Sequence, residues 1–236
     1  DPNEINIENF PFVSAKNLTL NLSGGKKIDV WAARISYVGE SGWEIYLNNN
    51  SEDGLALYDS LLEVGVVPVG IETYANSRRL EKSFRLQGAD LETEYNAIEA
   101  AIQRPLVKEA DFHGKAAHLS HREEDPCAVL CTMTLDNLNV SGKTRYPVGI
   151  SPIVDPVTGE VPIDSKGRRS YTTGMSYCPS IKKFVVMGYL PKEIALKGKS
   201  LLIEYFNEDG DGLYPMTVQI VGKGSLYDPS NERVRA

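Results

Sequence analysis

Residues 17–22 (Asn17-Leu18-Thr19-Leu20-Asn21-Leu22) alternate polar and apolar side chains and then meet Ser23-Gly24-Gly25. A period of two that stops at a glycine pair predicts a strand ending in a turn. Residues 28–36 and 43–47 read as two further strands, with Gly39-Glu40-Ser41-Gly42 as the turn between them. The period then changes. Leu55, Tyr58, Leu61 and Leu62 recur at helical spacing, which predicts an amphipathic helix over 52–64. Ser51 is expected to cap it, Glu52 and Asp53 suit the positive end of its dipole, and Gly65 is placed to end it. A second helix is expected over 72–84, before Gly88.

From Pro126 the pattern returns to period two. Ala128, Leu130, Thr132 and Thr134 fall on one face of a strand and Cys127, Val129, Cys131, Met133 and Leu135 on the other. Strands are also predicted over 184–190, 201–206 and 214–221, with turns at 155–159 and 207–212. This half reads as a small β-barrel. The polar stretch 121–125 is taken as the boundary, giving an α+β domain over 1–121 and a C-terminal β-barrel domain over 122–236.

Composition narrows the chemistry. With 236 residues, 42% hydrophobic and 24% charged, the chain can bury one large core or two small ones. A net charge of −7 leaves no basic surplus to neutralise phosphates, so nucleic acid is not expected as a partner. No apolar run approaches the roughly 20 residues of a membrane helix, and no membrane association is expected. Three cysteines do not make a disulfide framework and point to a reducing compartment, cytoplasm or an organelle matrix. The start at Asp1, without an initiator methionine, suggests an internal point of a longer gene product.

The segment Tyr37-Val38-Gly39-Glu40-Ser41-Gly42-Trp43-Glu44-Ile45-Tyr46 carries the strongest candidate chemistry. A turn between two strands can bring the Tyr37 ring and the Glu44 carboxylate to one pocket. A pterin asks for that pair, because its amino group and ring N–H form a donor edge for a carboxylate while its face needs an aromatic wall. An ordinary hairpin with a surface glutamate satisfies the same pattern, and the periodicity by itself leaves both readings open.

This stretch resembles the Y-x-G-E-x-G-x-E-I motif of the glycine-cleavage T-protein (aminomethyltransferase) family, in which the tyrosine and second glutamate contact the pterin of tetrahydrofolate. The block Ser77-Arg78-Arg79-Leu80-Glu81-Lys82-Ser83-Phe84, leading to Gly88-Ala89-Asp90-Leu91, is similar to the S-L-R-L-E-K-x-[YF]-x-x-x-G-x-D-L segment of the flavin-linked members, the dimethylglycine and sarcosine dehydrogenases. Asp111-Phe112-His113-Gly114, Thr172-Thr173-Gly174 with Gly188-Tyr189-Leu190-Pro191, and Ser225-Leu226-Tyr227-Asp228-Pro229 resemble later family blocks in the family's order.

The resemblance implies a partial T-protein-type folate-binding domain followed by the barrel. Tyr37 and Glu44 would orient the pterin, and Phe84 falls where some relatives set an aromatic against the folate. A core role for Phe84 is equally consistent with its position. For Arg79 and Lys82, the alternative to a folate role is pairing with Glu81 or Glu72 on a solvated helix face. The implied function is capture, as methylene-tetrahydrofolate, of the one-carbon unit released by oxidative demethylation of a small N-methyl amine, with FAD in an upstream domain. The family's catalytic aspartate lies upstream of Phe10, so no catalytic residue is assigned and this chain alone is expected to bind folate poorly. A flavin-independent folate-dependent methyltransferase or demethylase, and a non-catalytic folate-binding assembly protein, are the alternatives.

Other clusters carry less. His113, His118 and His121 include an i,i+3 pair that could share a helical face but not the tighter Cys/His clustering usual at zinc sites, and 207–212 lacks the closing carboxylate of a calcium loop at Val218. No metal is expected.

Overall fold

The computed structural model describes residues 2–48, 50–103, 106–136, 149–207 and 210–236. The chain forms two compact units: Asp1–Tyr74 with Ser230–Ala236, and Ala75–Pro229. The fold is α+β, with antiparallel sheets in both units.

In the first unit β1 (Ser14–Asn21), β2 (Lys27–Arg34) and β3 (Glu44–Tyr46) form a three-stranded antiparallel sheet in the order β1-β2-β3. One face carries Leu18, Leu20, Ile28 and Val30, and against it pack Ala56 and Leu57 of helix α1 (Ser51–Glu63). Two expectations for this helix are corrected. The cap is Asn50, whose side chain accepts the Glu52 amide at 3.1 Å, and Ser51 is the first helical residue. The apolar stripe Leu55, Tyr58 and Leu62 faces solvent, because the small side chains at Gly54, Ala56 and Ser60 let the opposite side approach the sheet.

The second unit is built on a six-stranded sheet in the order β5-β8-β9-β4-β7-β6. Its strands are β4 (Ala128–Leu135), β5 (Ile153–Val154), β6 (Thr172–Cys178), β7 (Lys183–Pro191), β8 (Ser200–Asn207) and β9 (Gly210–Val221). The two edges meet. Pro152 bridges Tyr171, the Thr172 amide donates to Ser151 O at 2.9 Å, and the Ile150 amide donates to Thr172 O at 2.7 Å. The sheet thereby closes into the small barrel that the sequence pattern predicted. The tip of the β8–β9 hairpin, part of the turn expected over 207–212, lies outside the described residues.

Strand alternation sorts the core into two layers. Cys131, Met133, Phe184, Val186, Ile203 and Met216 fill the barrel. Ala128, Leu130, Val185, Met187 and Tyr189 point outward and are covered by Leu80, Ala100, Leu91 and Tyr95. The segment after Ala75 supplies this outer layer and belongs to the same compact unit as the barrel.

The helix expected over 72–84 is shorter and differently wound. Glu72–Arg78 is π-helical and runs into a single α-turn, α2 (Arg79–Glu81), after which Ser83 takes φ 54°. Helix α3 (Lys115–Glu123) follows before β4.

Candidate functional site

The β2–β3 register decides which side chains share the open face of the first unit's sheet. Ala33 lies opposite Glu44 and Trp31 opposite Tyr46, so Glu44, Tyr46 and Trp31 project to the same side, away from α1. The Tyr46 and Trp31 rings contact at 5.0 Å and 57°. The Tyr46 hydroxyl donates to Glu44 Oε2, and Glu44 Oε1 has no hydrogen-bond partner among the described residues. A cleft of about 490 Å³ runs along the face, lined in part by Asn17, Thr19, Asp29, Trp31 and Tyr46.

Tyr37 packs against Tyr74. The two rings lie 5.8 Å apart at 46°. Burial first, and then the charge of Glu44, pushes the Tyr74 phenol above its ordinary range. The Tyr46 phenol is raised chiefly by its hydrogen bond to Glu44, with burial and the charge of Glu44 adding to it. The Glu44 carboxylate thus accepts from one phenol, Tyr46, and acts on a second, Tyr74, through its charge.

The loop that carries Tyr37 is held from below. Ser36 Oγ accepts the amides of Val38 at 3.3 Å and Gly39 at 3.1 Å, which starts the turn. Arg34, only 3% exposed, donates to Phe10 O at 2.7 Å, to Ser41 Oγ at 3.2 Å and to Ala236 O. Its guanidinium also lies over the Trp43 ring, 5.3 Å from the centroid. Sequence reasoning missed Arg34, Tyr74, Tyr46 and Trp31. The alternation of β2 and β3 was the signal for Trp31 and Tyr46; Tyr74 is distant in sequence and left none.

Phe84 belongs to the second unit. Its amide donates to Arg79 O at 3.0 Å and its carbonyl accepts Arg79 Nη1 at 3.1 Å. Arg79 and Lys82 are not on a solvated face: each is 1% exposed. Arg79 pairs with Asp90, whose other oxygen accepts the Thr173 hydroxyl, while Tyr189 donates to Asp90 O at 2.7 Å. Lys82 donates to Asp228 O at 2.7 Å and lies 3.5 Å from its carboxylate. The expectation of pairing with Glu81 is met by Arg78 instead, at 2.9 Å. The physical reason is the barrel wall, which removes this turn from water and makes internal partners obligatory for each charge.

With these arrangements in view, comparison with known proteins places the chain. The family described as GCVT N-terminal domain matches residues 1–109. Over residues 1–109 the chain carries a domain of the glycine-cleavage T-protein family. Mitochondrial dimethylglycine dehydrogenase of Rattus norvegicus is 32% identical over 96% of this chain and 24% of the rat protein. An aminomethyltransferase of Symbiobacterium thermophilum is 30% identical over 81% of this chain and 49% of its own length. Aminomethyltransferase T of the glycine cleavage system from Bartonella henselae, solved as a crystal structure, shares the fold with a TM-score of 0.61 at 23% identity, over 81% of this chain and 48% of that one. The chain therefore spans a quarter to a half of these relatives.

Two blocks that are far apart in sequence meet in the second unit: Arg79 and Asp90 come from one, Thr173 and Tyr189 from the other. Their shared work there is structural. In the first unit Glu44, Tyr46 and Trp31 share the open face of the sheet.

Proposed function

We propose that this chain is the tetrahydrofolate-binding part of a one-carbon enzyme, in which a flavin-bearing portion oxidises an N-methyl amine such as dimethylglycine or sarcosine. The observation that carries the reading is Glu44: a partly buried carboxylate with one oxygen free of hydrogen bonds among the described residues, bonded to Tyr46 and within electrostatic reach of Tyr74, against which Tyr37 packs. A pterin's amino group and ring N–H need two acceptor positions on one edge, and its flat face needs aromatic walls. Glu44 would take the donor edge, and Tyr37 with Tyr74 would wall the ring. When bound, tetrahydrofolate supplies the nitrogens that take up the one-carbon unit. Positioning them beside the oxidised amine replaces a bimolecular encounter with a directed one.

The dehydrogenase assignment is supported by likeness to the mitochondrial dimethylglycine dehydrogenases over 96% of the chain. A compartment that keeps thiols reduced, such as the mitochondrial matrix, suits Cys127, Cys131 and Cys178, all of them free. Domain limits at 1–121 and 122–236, and a place for Phe84 against the folate, belong to the same proposal. Aminomethyl transfer without flavin is the second reading, favoured by the 30% identity to the Symbiobacterium enzyme. Flavin absorbance in the purified full-length protein separates the two. Calorimetric titration of tetrahydrofolate into the full-length protein tests the site, and equal affinity in wild type and Glu44→Ala removes Glu44 from it.

A further inference from the structure

The open sheet face contains a brace whose purpose the folate reading does not by itself supply. Glutamate is a long side chain, and on an exposed strand its carboxylate samples several rotamers, each frozen at a cost when a ligand binds. Here the Glu44 carboxylate is tied at Oε2 by the Tyr46 hydroxyl from two residues along the same strand. Tyr46 is 49% exposed, so that bond on its own would compete with water. The Trp31 ring across the strand pair packs against the Tyr46 ring at 5.0 Å and limits where the phenol can go. A carboxylate has about four lone-pair sites, and the phenol uses one of them.

Resting on the folate reading, we propose that Tyr46 is a positioning residue for the ligand, held by Trp31, and that it fixes the Glu44 carboxylate with Oε1 presented to the donor edge of the heterocycle. The brace then works by pre-organisation, not by contact with the ring. It also assigns a use to the two large aromatics that the β2–β3 register exposes side by side, which a fold needing only stability would bury. The raised Tyr46 phenol agrees with a donor that keeps its proton beside the carboxylate.

The test titrates tetrahydrofolate into full-length wild type, Tyr46→Phe, Trp31→Ala and the double variant, and follows tyrosinate absorbance against pH in wild type and Glu44→Gln. Tyr46→Phe, which keeps the ring and loses only the hydroxyl, is expected to weaken binding about tenfold, the size of one hydrogen bond to a charged group. Trp31→Ala is expected to weaken binding in wild type and to add little in the Tyr46→Phe background, because it acts through Tyr46. Glu44→Gln is expected to lower the phenol titration, a signature that general loosening of the sheet would not give. Wild type binding with Tyr46→Phe equal or tighter overturns the brace and leaves the folate reading standing. Failure of wild type to bind overturns the folate reading, and the brace with it.

Discussion

Arg79 and Asp90 form an ion pair in which the two side chains are 1% and 0% exposed, on the outside wall of a barrel that a separate segment covers. Asp90 also accepts the Leu86 amide at 2.8 Å, and Arg79 Nε donates to Ala75 O at 2.9 Å. The remaining polar atoms are thereby satisfied, which a pair taken out of water requires. Removing one partner strands the other. Arg79→Met is expected to lower unfolding free energy by about 3–5 kcal/mol in urea titrations, and Asp90→Leu by a similar amount. The double replacement is expected to be milder than either single change, since no charge is left unpaired.

Two glycines beside this pair distinguish a clash with a side chain from a clash with backbone. A Cβ at Gly174 would lie 2.6 Å from Arg79 Nη2, while one at Gly188 would lie 2.7 Å from Tyr171 O and 2.9 Å from Ile153 Cδ1, at the seam where the barrel closes. Alanine at either position is expected to destabilise by about 1–3 kcal/mol, in the range of overpacking. In the Arg79→Met background the Gly174→Ala loss should shrink and the Gly188→Ala loss should not. Thermal unfolding of the three single and two double variants reads this directly.

The cap of α1 gives a cleaner contrast. Asn50→Ala is expected to cost about 1 kcal/mol, because the Glu52 amide loses its acceptor, whereas Ser51→Ala is expected to be near neutral. A reversed order in chemical denaturation would return the cap to Ser51.

Acid stability should depend on Arg168. It donates to Asp164 Oδ2 at 2.7 Å and to both oxygens of Glu99, one of them at 3.1 Å. Burial alone would raise the Glu99 carboxyl; hydrogen bonds from Arg168 and the Asn96 amide overcome it and hold the group below its ordinary range. Asp164 is depressed in the same way, burial opposing and the backbone and side chain of Arg168 prevailing. A carboxylate depressed by folding contributes stability that is complete above its unfolded value, about pH 4, and fades as pH falls through the lower folded value. Arg168→Met is therefore expected to lower stability at neutral pH and to flatten its loss below about pH 4, measured by urea midpoints across pH.

For the proposed ligand site, Glu44→Ala is expected to weaken tetrahydrofolate binding by about 1–3 kcal/mol while leaving the unfolding transition nearly unchanged. Calorimetry and thermal unfolding on the same preparations separate the two effects.

What the sequence determined by itself was local. Alternation placed β1, β2, β4, β7, β8 and β9 and both faces of β4, because a strand buried on one or both sides imposes a period of two on its own residues. Helical spacing found α1 but chose the wrong face: its large apolar residues outnumber the small ones that meet the sheet, and size does not say which side a neighbour occupies. The short β5 and the glycine-containing β6 carried too few patterned positions to stand out. Tyr37 and Glu44 were visible as a motif. That Tyr37 packs against Tyr74 and that Arg79 and Lys82 are buried charges were decided only in three dimensions. Each depends on residues brought together across long stretches of chain or on which neighbour removes a side chain from water, and neither quantity is written in the spacing of residues along a single element.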